Sequence, residues 1–228
     1  MRSTSVSTTR NLRESCDSGL VVAAARLYAA RVPFLRDPHR ECHCILCDGD
    51  DGHQHEHVAG HRCADGTPDH VRKFGWSSVG IAPADGVPPW AFSVGLWHSL
   101  GSPEVAIFGL RNPDMQQWIN TLAGQVKAGQ ALEVGDALRY GVLPNEFPVM
   151  LRSVHRSWYP SLFGTALHFY NHRPPLPFVQ IVWPDRDGRF PWEQEAGENC
   201  RANQPHLWLP VADHPRSPWT ASTRSRLG

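Results

Sequence analysis

The sequence predicts an α+β fold: a mostly antiparallel sheet with one or two packed helices, preceded by a Cys/His-rich extension. Three observations carry this. Short apolar or alternating segments follow one another across clusters of proline, glycine and aspartate, as strands joined by turns do. One long segment, DMQQWINTLAGQVKA, instead repeats its apolar residues at helical spacing. Four of the six cysteines and five of the thirteen histidines fall between Cys42 and Cys63, in a stretch almost without core-forming residues.

In chain order, residues 1–16 are rich in Ser, Thr and Arg and read as disordered. Residues 18–32 read as an alanine-rich helix ending at Pro33, with Leu20, Ala24 and Leu27 on one face. With the Cys/His segment they make an N-terminal region over 17–73. The main domain is expected over 74–195. Its strands are placed at 74–82, 90–97, 104–110, 147–154 and 177–183. Its long helix is placed at 114–128, where Met115, Trp118, Ile119, Leu122 and Val126 share a face, and a shorter one at 160–170. Strict alternation fails in EVAIFGL and FVQIVW, as in strands covered on both faces. The proline-rich segment 196–228 reads as an extended tail.

Global quantities exclude several classes. Formal net charge is +0, so no whole-protein field recruits nucleic acid or an acidic membrane. No apolar run approaches the roughly 20 residues of a membrane span. The N-terminus carries no secretory pattern, which makes the cytoplasm the expected compartment. Clustered cysteines there are more often metal ligands or redox groups than structural disulfides.

The strongest chemical signal is CHCILCDGDDGHQHEHVAGHRC. Thiolate and imidazole are preferred zinc ligands, and CxCxxC places three sulfurs in one short turn. Cys42, Cys44 and Cys47 are the expected ligands, completed by Cys63 or by a histidine of 53–61, His57 and His61 being the spaced pair. A redox or disulfide role and an inert His-rich loop are the other readings. HEHVAGH has the wrong register for a HExxH protease helix.

Further candidates lie in the main domain. WHSLG resembles a serine-hydrolase elbow, but Trp97 stands where that turn needs glycine, so Ser99 is not read as a nucleophile. His98 and Glu104 bracket the turn between two predicted strands and form the candidate acid–base pair. Trp97, Trp183 and Trp192, with Asp185, are the candidate walls of a ligand pocket; the alternative is that these tryptophans pack the core. No GxGxxG or GxxxxGK[ST] phosphate loop occurs.

Several phrases together resemble a bacterial family. These are Cys44-Ile45-Leu46-Cys47-Asp48, Gly75-Trp76, and Pro89-x-Ala91-Phe92-Ser93-Val94-Gly95-Leu96. Gly101-x-Pro103-Glu104, Gly109-Leu110 and Gln180-x-Val182-Trp183-x-Asp185-x-x-Gly188-x-x-Pro191-Trp192 complete the set. The chain is similar over roughly 42–195 to domain-of-unknown-function family 4262. The resemblance implies no activity, cofactor or catalytic residue. Cys42, Cys63 and the histidines of 53–61 go beyond the family's short CxxCD element.

Two functional readings result. One is a binding or accessory protein with a structural zinc clasp and a groove for a small molecule or peptide. The other is a metal-dependent, water-activating enzyme of hydrolase type in which His98, Glu104 or Asp185 complete an open site.

Overall fold

The protein is described here from a computed structural model covering residues 42–48, 66–172 and 176–221. Strands β1 (Ser77–Ile81), β2 (Trp90–Val94), β3 (Glu104–Phe108), β4 (Met150–Ser153) and β5 (Phe178–Val182) form one sheet. Their spatial order is β1-β2-β3-β5-β4. All neighbouring pairs are antiparallel except β3 and β5. Among the described residues, six α-helices accompany them: α1 (Thr67–Phe74), α2 (Leu96–Leu100), α3 (Asn112–Lys127), α4 (Tyr159–Leu162), α5 (Gly164–Phe169) and α6 (Glu198–Asn203). The fold is α+β with a mostly antiparallel sheet.

Both sheet faces are covered, and this explains why the central strands do not alternate. Ala91, Val105, Ile107, Val179 and Ile181 form one cluster with Met115, Ile119, Leu122 and Ala123 of α3. Trp90, Phe92, Ala106, Phe108 and Phe178 meet Val71 of α1 and Leu162, Phe163, Ala166 and Phe169 on the other face. Every residue of β2, β3 and β5 is buried. Phe163 stacks on Phe178 at 4.0 Å between ring centroids, and Phe92 meets both rings edge-on. Aromatic pairs in such geometry add to the area they bury.

Three expectations are corrected. The strand expected to run to Trp97 stops at Val94, because Gly95 takes φ 108 and turns the chain into α2, which carries Trp97 and His98. Helix α1 begins within the stretch read as having no period; Pro68 near its start and Gly75 at its C-cap are the signals that mark it. The segment after 195 is not an extended arm up to 221. It contains α6 and buries Ala196, Cys200, Leu207 and Trp219. Trp219 packs edge-on against Trp90 and Phe108.

Two buried glutamines attach this segment to the sheet. Gln180 donates to the Pro205 carbonyl at 2.8 Å and accepts from the Leu207 N–H. Gln204 accepts from the Trp183 N–H at 3.0 Å and donates to the Trp183 carbonyl at 2.8 Å. Each side chain thus supplies the pairing that a further strand would have given, which satisfies backbone groups that burial would otherwise leave costly.

Residues 1–41, with the helix expected at 18–32, lie outside the described residues. No helix among the described residues is long and apolar enough to cross a membrane.

Candidate metal centre

The Cys42–Asp48 segment forms a tight turn: the N–H groups of Cys47 and Asp48 both donate to the Cys44 carbonyl at 2.9 Å. It docks on the end of α5, where the Ile45 N–H donates to the Phe169 carbonyl at 3.0 Å. Asp48 accepts from the Asn171 amide at 3.3 Å and lies 3.4 Å from His43 Nδ1. Cys44 is fully buried, and Ile45 and Leu46 pack on the aromatic core cluster. Apolar anchoring of the two residues inside CxxC leaves both flanking sulfurs turned to one side.

That side faces α2. His98 Nδ1 lies 3.3 Å from Cys44 Sγ, 3.3 Å from Cys47 Sγ and 3.7 Å from Cys42 Sγ. All four ligand atoms fall within 4.8 Å of one another. Zinc–sulfur bonds of about 2.3 Å and zinc–nitrogen bonds of about 2.0 Å imply a tetrahedron with edges of about 3.5–3.8 Å. The observed sulfur–nitrogen separations match those edges. Hydrogen bonding alone is a poor explanation, because one ring nitrogen offers a single proton or a single lone pair, not three. The Cys3His group is compatible with a bound metal ion.

The electrostatics of the thiols agree. The Cys44 thiol is pulled down to about 4 by the hydrogen bond from Cys42, against the cost of burial, with help from His98 and from the N–H groups of Leu46 and Cys47. Cys42 is pushed up, first by its hydrogen bond to Cys44, then by burial. Cys47 is pushed up mainly by burial. Without an ion, three clustered sulfurs cannot all hold negative charge; a divalent cation removes that conflict by deprotonating coordinated thiols. All three are free thiols.

The short helix presenting His98 is fixed from beneath. Glu104, fully buried, receives the N–H groups of Gly95 at 2.9 Å and Trp97 at 3.1 Å on Oε1, and the Ser93 hydroxyl at 2.5 Å on Oε2. The Tyr170 hydroxyl donates to the same Oε1 at 2.5 Å and accepts from the His98 N–H at 3.3 Å. Together they satisfy the N–H groups that open α2. Burial pushes the Glu104 carboxyl above its usual range, opposed by these four donors. Tyr170 is pushed well up by burial and by the neighbouring carboxyl.

The residues expected to build a ligand pocket are distributed differently. Trp97, half-buried, packs with the cluster that holds the cysteines. Trp183 belongs to the cluster on the opposite sheet face, its indole donating to the Phe108 carbonyl at 2.9 Å. Trp192 is 38% exposed and stacks on Phe190, with the Arg152 guanidinium 4.7 Å from its ring centre. Asp185 organises its own turn, accepting from the N–H groups of Asp187, Arg189 and Gly197; the bonds from Arg189 and Gly197 hold its carboxyl low. Because Glu104 is fully buried, it shares no solvent-reachable surface with His98 and these tryptophans. Glu104 has no solvent access and caps a helix, so it does not stand beside His98 as a base.

Among the described residues, the fourth member of the cluster is His98. Cys63, His57 and His61, expected there, lie outside the described residues. His98 as a ligand was not readable from CxCxxC spacing, since fifty-six residues separate it from Cys42. Tyr170 stands in the sequence among His168 and His172, but nothing local marks it as the support of α2.

An α+β domain that pins a sulfur-rich turn to a capped helix through a four-residue, metal-compatible group is the class this arrangement describes. The chain belongs to the Domain of unknown function family DUF4262, which it matches over residues 70–197. His98 and Glu104 fall within the match, while the three cysteines precede it. No curated protein and no solved structure matches the chain.

Proposed function

We propose that this is a binding or accessory protein in which zinc, held by Cys42, Cys44, Cys47 and His98, clasps the N-terminal turn to α2. The observation that carries the reading is the convergence of three sulfurs and one imidazole nitrogen within 4.8 Å. Four protein ligands close a tetrahedral site, and closed, cysteine-rich sites are structural rather than catalytic. A water-activating enzyme would need an open position and a nearby base. Here Nδ1 of His98 points at the sulfurs, and Glu104 is committed to the α2 N–H groups. The protein would therefore act by holding a small molecule or peptide, in a reducing compartment such as the cytoplasm that keeps the thiols free.

The test is metal content of protein purified without a histidine tag. One equivalent of zinc is expected in the native chain, with strong loss in Cys44→Ser and His98→Ala. Metal-free native protein that also fails to take up added zinc would overturn the clasp. Full zinc retention in His98→Ala would remove His98 from it.

A further inference from the structure

We propose that the C-terminal segment beyond the family match builds a site for a small organic anion, a carboxylate or phosphate ester with a flat apolar body. The site is a cavity of about 520 Å³ between α6, residues 205–206 and residues 214–219, closed on one side by Gly86 and Pro88. Its size falls within the usual span of small-molecule pockets.

The charge of the lining selects the ligand. Two guanidiniums, Arg201 and Arg216, face one carboxylate, Glu198, and none of the three is in an ion pair among the described residues. Arg201 makes only a 3.5 Å contact to the Gln194 carbonyl. Guanidinium presents a planar fork of donors that matches carboxylate and phosphate oxygens. Pro205, Pro215, Pro218 and the indole of Trp219 supply an apolar part of the wall, beside the polar Asn203, Gln204, His206 and His214. An anionic head with an apolar body satisfies both halves.

A second, independent feature points to a missing polar partner. The Ser217 hydroxyl is buried at the cavity lining and finds no hydrogen-bond partner among the described residues. The Ser217 backbone is satisfied, because its N–H donates to Thr220 Oγ1 at 3.1 Å and its carbonyl accepts from the same hydroxyl at 2.9 Å. Buried hydroxyls are normally paired, and this one has almost no accessible surface, so a ligand oxygen would meet it only once its side chain turns toward the cavity.

The floor is rigid before any ligand arrives. Gln180 and Gln204 bind the 204–207 backbone to β5, as described above. Gly109, at φ 80, lets the Asn203 backbone approach so closely that no side chain would fit between them. A pre-formed floor lowers the entropic cost of binding. All of these wall residues except Gly86 and Pro88 lie beyond residue 197, where the family match ends.

The experiment titrates the full chain with sodium benzoate, phenyl phosphate and benzyl alcohol at constant ionic strength, following the Trp219 indole N–H by NMR. At least one anion should give a saturable shift, and benzyl alcohol should not. Comparison of benzoate with phenyl phosphate assigns the head group. In the double variant Arg201→Gln/Arg216→Gln the anion should bind at least about tenfold more weakly, the loss expected for charge-assisted hydrogen bonds. Both arginines are exposed, so the fold should persist; single Arg216→Gln provides the check and should weaken binding in the same direction. The proposal is overturned by an absence of saturable binding by either anion. It is equally overturned by benzyl alcohol binding as tightly, or by a loss below tenfold in the folded double variant.

Discussion

The Glu104 carboxyl and the Tyr170 hydroxyl, sixty-six residues apart, meet at 2.5 Å beneath α2 and between them take up the N–H groups of Gly95, Trp97 and His98. The helix that presents the imidazole is only five residues long and lacks the length to be stable alone. Its geometry is therefore imposed by tertiary contacts.

Truncating that support should cost stability and metal affinity together. Glu104→Ala strands several buried donors and is expected to destabilise the protein by about 4 kcal/mol. Glu104→Gln keeps an acceptor toward α2 and should cost less, while Tyr170→Phe removes one donor and should cost about 1–2 kcal/mol. Urea denaturation, paired with zinc titration of the folded variants, measures both. Unchanged zinc affinity in a folded Glu104→Gln/Tyr170→Phe variant would separate the cap from the metal site.

Chelation should lower thermal stability in the native protein but not in Cys44→Ser. A ligand present at a thousandfold excess over its dissociation constant adds about 4 kcal/mol, which corresponds to a fall of about 10 °C for a domain of this size. Differential scanning calorimetry with and without EDTA reads it. Cobalt substitution should give visible bands typical of tetrahedral sulfur-rich coordination; six-coordinate spectra would contradict the Cys3His set.

Gly95→Ala should be among the more damaging single-methyl changes. The new Cβ would lie 2.7 and 2.9 Å from the two Val71 methyls, at a residue whose φ is already 108. Overpacking and left-handed strain together are expected to cost about 3 kcal/mol. Because α2 starts at this point, zinc affinity should fall with it. A melting curve coinciding with that of the native chain would show that α1 moves aside freely.

Acidification should destabilise the C-terminal segment through His206. Burial first, and the neighbouring His214 second, push its imidazole down from 6.5 to about 4. Between these values the unfolded chain binds the proton and the folded chain does not, so stability falls as pH drops from 6.5 toward 4 and levels off below. The full effect is on the order of 3 kcal/mol. His206→Gln should flatten the pH dependence of urea-midpoint measurements over this window; an identical slope would show that other groups carry it.

Much of the architecture was legible in local pattern. The apolar runs at 104–108 and 178–182, and the 3.6-residue repeat of Met115, Ile119 and Leu122, mark the central strands and the covering helix, because burial on two faces or one leaves a periodic trace. Strand ends were less legible. Val94 and Leu96 are both apolar, and only the positive φ of Gly95 divides strand from helix. The tail after 195 reads as polar and proline-rich, yet Gln180 and Gln204 hold it to the sheet through hydrogen bonds that no hydrophobic pattern records.

The sequence by itself determined the sulfur half of the candidate centre. CxCxxC keeps its three sulfurs within five residues of one another, at most about 17 Å even in an extended chain, so a single turn suffices to bring them together. Only the tertiary structure decided the fourth member. His98 reaches the cysteines because Gly95 turns the chain, Glu104 and Tyr170 cap the helix that follows, and Phe169 holds the cysteine turn opposite it. Each of those contacts joins residues distant in the chain, and side chains brought together by packing leave no spacing to be read.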